Sequence, residues 1–227
     1  MGASFIIATV ANVVGNLLFS RPILDAPDYL ISASASGNQL IIGALFELIG
    51  AFAAVSIAIW LYPVLKRYNE GLALGAVGFR LIEGMLYVLA AVVMLSILTL
   101  SQEYVRAGTP DASLFQASGT SLLAVRDWAG QLSVLAFTPA ALMYYCVFYQ
   151  SRLIPRWLSG WGLIAAALCL SAALLSMFGL IVAMATVFLI LNLPIAVQEM
   201  VLAIWLIVKG FNSSAIASLS AEENRTR

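Results

Sequence analysis

Residues 161–208 form one apolar block in which Glu199 is the only charged side chain. Few folds accept such a block. Inside hydrocarbon every backbone N–H and C=O must be paired within the segment, which leaves helices and closed barrels. A spanning helix needs about 20 residues, and this block is about twice that long, so it holds two. Ser176 to Gly179 is the natural turn. The runs are continuous rather than alternating, which argues against a membrane barrel.

The rest of the chain repeats the pattern. Hydrophobic residues make up 63% and charged residues 10% of the 227 residues, against about 25% charged in soluble domains. We read an all-α fold: a polytopic membrane bundle of six transmembrane helices, at about 3–19, 39–62, 71–98, 122–149, 157–175 and 181–209. Residues 1–210 are expected to form a single six-helix domain, and 211–227 a polar, disordered cytoplasmic tail. The connection at 20–38, with Pro22, Asp25, Pro27 and Asp28, reads as irregular. The connection at 99–121, with Glu103, Arg106, Pro110 and Asp111, reads as the longest external segment. The first residues lack a basic n-region, so the first span is expected to be retained rather than cleaved.

Short-loop cations set the orientation. Lys66, Arg67, Arg152, Arg156 and Lys209 fall on one side; Arg21, Arg106 and Arg126 fall on the other. Both termini are therefore expected to be cytoplasmic. Trp60, Trp157, Trp161 and Trp205 suit interfacial anchoring.

Several function classes fall away. Lys plus Arg equals Asp plus Glu at 11 each, and there is no basic patch, so nucleic acid is not an expected partner. There is no histidine and no metal-ligand spacing, so no cofactor and no metal are expected. Cys146 and Cys169 both lie in spans and suggest no disulfide framework.

What stands out is charge at membrane depth. The third span contains Gly78-Phe79-Arg80-Leu81-Ile82-Glu83-Gly84. A charge at the centre of a spanning helix costs about 2.5–3.5 kcal/mol on insertion scales and needs partners on other helices. At about 1.5 Å per residue, Arg80 lies roughly 15 Å inside the bilayer. Glu199 on the sixth span reaches a similar depth and is expected to meet it. Glu47 on the second span and Asn192 on the sixth complete the expected buried cluster of Glu47, Arg80, Glu83, Asn192 and Glu199. Asn12 and Asn16 share a face of the first span at similar levels. Arg126, Asp127 and Gln131 are placed nearer an outer mouth on the fourth span, and Pro139 is expected to kink that helix.

Three uses of the cluster are open. Arg80 can act as structural glue, bridging Glu83 and Glu199 with its five donors. Alternatively, Glu47, Glu83 and Glu199 outnumber the one deep arginine, so a proton, a cation or water is needed for balance, as in a site that binds or passes a small solute or ion. Pro194 interrupts the sixth span beside it, as in helices that line transport sites. An intramembrane enzyme is less supported, because the deep cluster offers no nucleophile–base pair. The partners that follow are the lipid bilayer and, if the protein is an accessory subunit, other membrane subunits or further copies of the chain. Small-residue stripes such as Gly71-x-x-x-Gly75 suit such packing.

Three stretches together carry a resemblance. They are the Arg80–Glu83 stretch quoted above; Arg152-Leu-Ile-Pro-Arg-Trp-Leu-Ser-Gly-Trp-Gly162; and Pro194-Ile-Ala-Val-Gln-Glu-Met-Val-Leu-Ala-Ile-Trp-Leu-Ile-Val-Lys-Gly210. Read together, the chain resembles the bacterial membrane protein family called domain of unknown function 4386, over nearly its whole length. The resemblance implies a helical membrane protein and little else, and we expect it in a bacterial cytoplasmic membrane. It singles out Arg80, Glu83, Glu199, Trp205 and Gly210 without giving them roles. The short N-terminus, with no basic residue before the first span, departs from the family pattern.

Overall fold

The structure is a computed structural model, and it describes residues 1–108, 112–181 and 186–216. The described residues are helical, with no strand among them. The helices are α1 (Gly2–Val14), continued by a π-helical turn (Gly15–Ser20); α2 (Arg21–Leu24); α3 (Tyr29–Ala35); α4 (Gly37–Leu65); α5 (Glu70–Ala107); α6 (Ala112–Ser151); α7 (Arg156–Met177); and α8 (Thr186–Val208). Six segments are long and apolar enough to cross a membrane. The protein is thus a multi-pass membrane protein. Its exposed leucine, isoleucine and phenylalanine side chains, Phe52 and Leu74 among them, fit a lipid surround.

Local signals explain the helix ends. Asn69 caps α5 by accepting a bond from the Leu72 amide at 3.0 Å. Pro155 precedes α7, where a missing N–H does no harm. After α7 the chain turns at Gly179, whose φ of 69° is left-handed, and the Leu180 amide reaches back to the Leu175 carbonyl at 2.9 Å. This is the turn expected from 176–179.

Two polar connections are not the loops the sequence suggested. Within 20–38, α2 opens with Pro22 in its first turn, and α3 buries Tyr29, Leu30 and Ala33. Their apolar spacing makes a short buried helix preferable to an exposed loop. Within 99–121, α5 runs on to Ala107 and α6 begins at Ala112. The Glu103–Arg106 pair at 2.9 Å supports a solvated helix end, and Tyr104 packs on Phe115 with ring centroids 5.8 Å apart. Polarity there marks exit from hydrocarbon, not loss of helix. Pro110 and Asp111 lie outside the described residues, as does the tail from 217 to 227.

The chain divides into two compact units. One consists of Met1–Ile6, Ala54–Glu83 and Val134–Arg227. In it, α7 packs on α8 and buries Ser159, Gly162, Ala165, Ala166, Ala172 and Ala173, with Gly162 set against the Tyr145 ring of α6. Small side chains let the backbones approach, and dispersion contacts replace the missing hydrophobic drive between helices in lipid. The other unit consists of Ile7–Ala53 and Gly84–Ser133. Its core gathers Leu24, Tyr29, Leu30, Leu40, Met94 and Ile97.

Candidate functional sites in the two units

In the first unit, α5 presents Ala73, Ala76, Arg80 and Glu83 on its buried face, the 3.6-residue stripe of an inward helix. Arg80 is 3% exposed. Its Nη1 donates to Glu83 Oε2 at 3.1 Å, one turn along the same helix. Its Nη2 donates to Glu199 Oε1 on α8 at 3.3 Å and to the Tyr144 hydroxyl on α6 at 3.1 Å. Tyr144 in turn donates to Glu199 Oε1 at 3.2 Å. The guanidinium also stands over the Phe137 ring, 4.7 Å from its centroid. Charge, hydrogen bonds and an aromatic face thus enclose one cation contacted from three helices. Only Nε lacks a partner among the described residues.

Beside it runs a neutral network. The Tyr145 hydroxyl donates to Gln198 Oε1, and Gln198 Nε2 donates to the Leu158 carbonyl at 3.1 Å. Asn192 is engaged separately: its amide donates to the Phe188 carbonyl at 2.8 Å, and its Oδ1 accepts from the Cys169 thiol at 2.9 Å.

The second unit holds Glu47. The stripe Gly43, Glu47, Gly50 and Ala51 on α4 is buried. There Glu47 Oε1 accepts a 2.6 Å bond from Arg126 Nη2 on α6. The π-helical turn lies against the same helix. A Cβ on Gly15 would stand 2.7 Å from that of Phe46, and one on Gly43 would stand 2.9 Å from Ser20 Oγ. Ser20 Oγ donates to the Gly15 carbonyl five residues back, at 3.1 Å. Gln39 Nε2 donates to the Leu18 carbonyl at 3.0 Å, a group whose α-helical partner four residues on would be Pro22, which has no N–H. Asn16 sits within this turn.

Four buried polar atoms of this unit have no hydrogen-bond partner among the described residues: Asn16 Oδ1, Glu47 Oε2, Arg126 Nε and Gln131 Oε1. Asp127 is exposed next to Arg126, and the charges of Arg21 and Asp25 also act on it. Exposure falls from Asp127 through Arg126 to Glu47.

The sequence reading grouped Glu47 with Arg80 and put Arg126 at an outer mouth. The structure gives Glu47 its own guanidinium, Arg126. The sequence reading did not include Tyr144, Tyr145, Gln198 or Phe137 in the site. Aromatic residues in an apolar span carry no distinctive periodic signal, although Gln198 beside Glu199 was a visible polar interruption.

The profile of the family described as domain of unknown function (DUF4386) matches residues 1–210. The chain belongs to the DUF4386 family. No curated protein and no solved structure matches it. In this DUF4386 member, the residues marked by the sequence resemblance fall into two groups. Arg80, Glu83 and Glu199 form the ion network. Trp205 and Gly210 lie at the end of α8. There the Trp205 ring meets Trp157 edge-on at 6.5 Å, and Gly210 takes a φ of 65° that favours glycine.

Proposed function

We propose that this protein binds or passes a small polar solute or a cation, the proton included, inside the membrane, and that Glu47 and Arg126 form the binding pair. The observation that carries this is the set of four partnerless buried polar atoms on Asn16, Glu47, Arg126 and Gln131. An unpaired polar group in an apolar medium is costly. Four in one unit call for an occupant with donors and acceptors, either solute or water. Charge supports a cation. Asp25, Glu47 and Asp127 supply three carboxylates, while Arg21 and Arg126 supply two guanidiniums. The exposed Asp127 beside the buried pair provides an acidic approach. The π-helical turn adds weight, since such turns often occur at functional sites. By the positive-inside rule the end bearing Lys66, Arg67, Arg152, Arg156 and Lys209 faces the cytoplasm, in a bacterial cytoplasmic membrane.

The test is reconstitution into vesicles with internal pH and alkali-cation reporters. Wild-type protein should carry a flux that Glu47→Gln abolishes, or show cation-dependent thermal stabilisation that the variant loses. A wild-type protein that shows neither, for H+, Na+ and K+, sinks the cation reading.

A second reading is supported by the closed Arg80 network: a structural or accessory subunit of a membrane assembly. Arg80 is enclosed by protein partners that hold α5, α6 and α8 in one register. Gentle extraction from native membranes decides this reading. Stoichiometric co-purification with other subunits supports it, and a particle containing this chain alone rejects it.

A further inference from the structure

The first unit has a basic end. Tyr68, in the turn between α4 and α5, donates to the Ala215 carbonyl at 2.9 Å, and the Asn212 amide donates to the Leu153 carbonyl at 2.9 Å. These bonds bring the α4–α5 turn, the α6–α7 turn and the segment after α8 together. Between the last two lies a cleft of about 640 Å³. Arg152, Arg156 and Lys209 line it, and among the described residues no carboxylate does. None of the three forms an ion pair among the described residues.

The cleft is built rather than incidental. Arg152 stands in the left-handed region at φ 57°, where a non-glycine residue is strained. Lys209 is held over the Trp205 ring at 4.5 Å, and Arg156 over the Tyr149 ring at 5.3 Å. Pro155 begins α7 without a side-chain acceptor for the first amides of the helix, and that end carries partial positive charge. All of these favour an anion with several oxygens.

A second cleft adjoins the first. It measures about 240 Å³, is lined by Val201, Ile204 and Val208, and shares Trp205 and Lys209 with the basic one. These side chains follow one face of α8 at helical spacing, and Ile204 and Val208 are exposed. A basic cleft continuous with an apolar groove matches an amphiphile: phosphate in one, acyl chain in the other.

We propose that this end of the protein binds one anionic phospholipid, with its phosphodiester held by Arg152, Arg156 and Lys209 and an acyl chain along Val201, Ile204 and Val208. Basic pockets between spanning helices are a known way of holding such headgroups. Trp205 divides the two parts, as an interfacial indole does.

The experiment is native mass spectrometry of the full chain in detergent, titrated with phosphatidylglycerol, phosphatidylcholine or inorganic phosphate. Phosphatidylglycerol should bind at one site and resist detergent. Arg152→Gln, Arg156→Gln and Lys209→Gln should each weaken it about fivefold, as expected for one basic residue near an anionic surface. Lys66→Gln and Arg67→Gln, at the same end but outside the cleft, should leave it unchanged. Ile204→Ser should weaken lipid binding without affecting any phosphate binding. Unchanged melting temperatures show that the variants fold. Equal retention of phosphatidylcholine overturns the proposal, as does equal weakening by the Lys66 and Arg67 variants. Displacement of lipid by millimolar inorganic phosphate also overturns it, and assigns the cleft to free phosphate.

Discussion

Arg80 and Glu199, 119 positions apart in the chain, meet with Nη2 3.3 Å from Oε1, and the Tyr144 hydroxyl lies within hydrogen-bonding distance of both. The contact ties α5, α6 and α8 together in an environment where apolar packing gives little directional information. A buried pair of this kind adds little net stability, because its attraction mainly offsets desolvation, but breaking it by removing one partner is severe.

Arg80→Met should therefore destabilise the protein by about 3–5 kcal/mol, because it strands buried carboxylates. Replacing Arg80, Glu83 and Glu199 together with apolar residues of similar volume should recover most of that loss. Unfolding in mixed micelles with increasing sodium dodecyl sulfate measures both. A triple variant no more stable than Arg80→Met would show that the ions contribute more than mutual neutralisation.

The two adjacent tyrosines should separate by role. Tyr144→Phe removes the hydroxyl that bridges Arg80 and Glu199, a charge-assisted interaction worth about 1.5–3 kcal/mol. Tyr145→Phe breaks a neutral bond to Gln198, and neutral bonds of this kind are worth about 0.6 kcal/mol on average in a membrane bundle. The same micellar unfolding should rank Tyr144→Phe as the more damaging. The reverse order would place the main hydroxyl constraint at Gln198.

Two glycines make a packing test. A Cβ on Gly162 would stand 2.5 Å from ring atoms of the fully buried Tyr145. A buried ring has little room to yield, so Gly162→Ala should cost about 1–3 kcal/mol. Gly78 has no neighbour within 4 Å of its would-be Cβ, and alanine favours helix, so Gly78→Ala should be neutral or stabilising by up to about 1 kcal/mol. Melting temperatures of the purified variants compare the two directly.

Glu47 and Arg126 should behave as one unit. Glu47→Leu and Arg126→Leu should each cost about 3–5 kcal/mol by leaving a buried ion alone. The double variant should cost clearly less than the sum, which a double-mutant cycle reads as coupling. Additive losses would mean that each ion has its principal partner elsewhere.

Much of this was legible beforehand, for identifiable reasons. Glu47, Arg80 and Glu83 could be assigned to buried faces because they recur with alanines and glycines at helical spacing. The turn at Gly179 was visible because the run from 161 to 208 was too long for one helix. The connections were harder. Tyr29, Leu30 and Ala33 sit among prolines and aspartates, and local polarity obscured a short helix whose stability comes from burial against Leu40, Met94 and Ile97.

Sequence alone determined the number of spans, their approximate ends and the inward direction of the deep charges. These are local properties, set by bilayer thickness and helical period. Tertiary structure decided which ion meets which. That Glu47 takes Arg126 depends on the rotation and register of residues 37–53 of α4 within the second unit. Those are set by close approaches such as Gly15 on Phe46 and Gly43 on Ser20, and no single segment encodes them. The same holds for Tyr144: its hydroxyl matters only because packing delivers α6 to a point between Arg80 and Glu199.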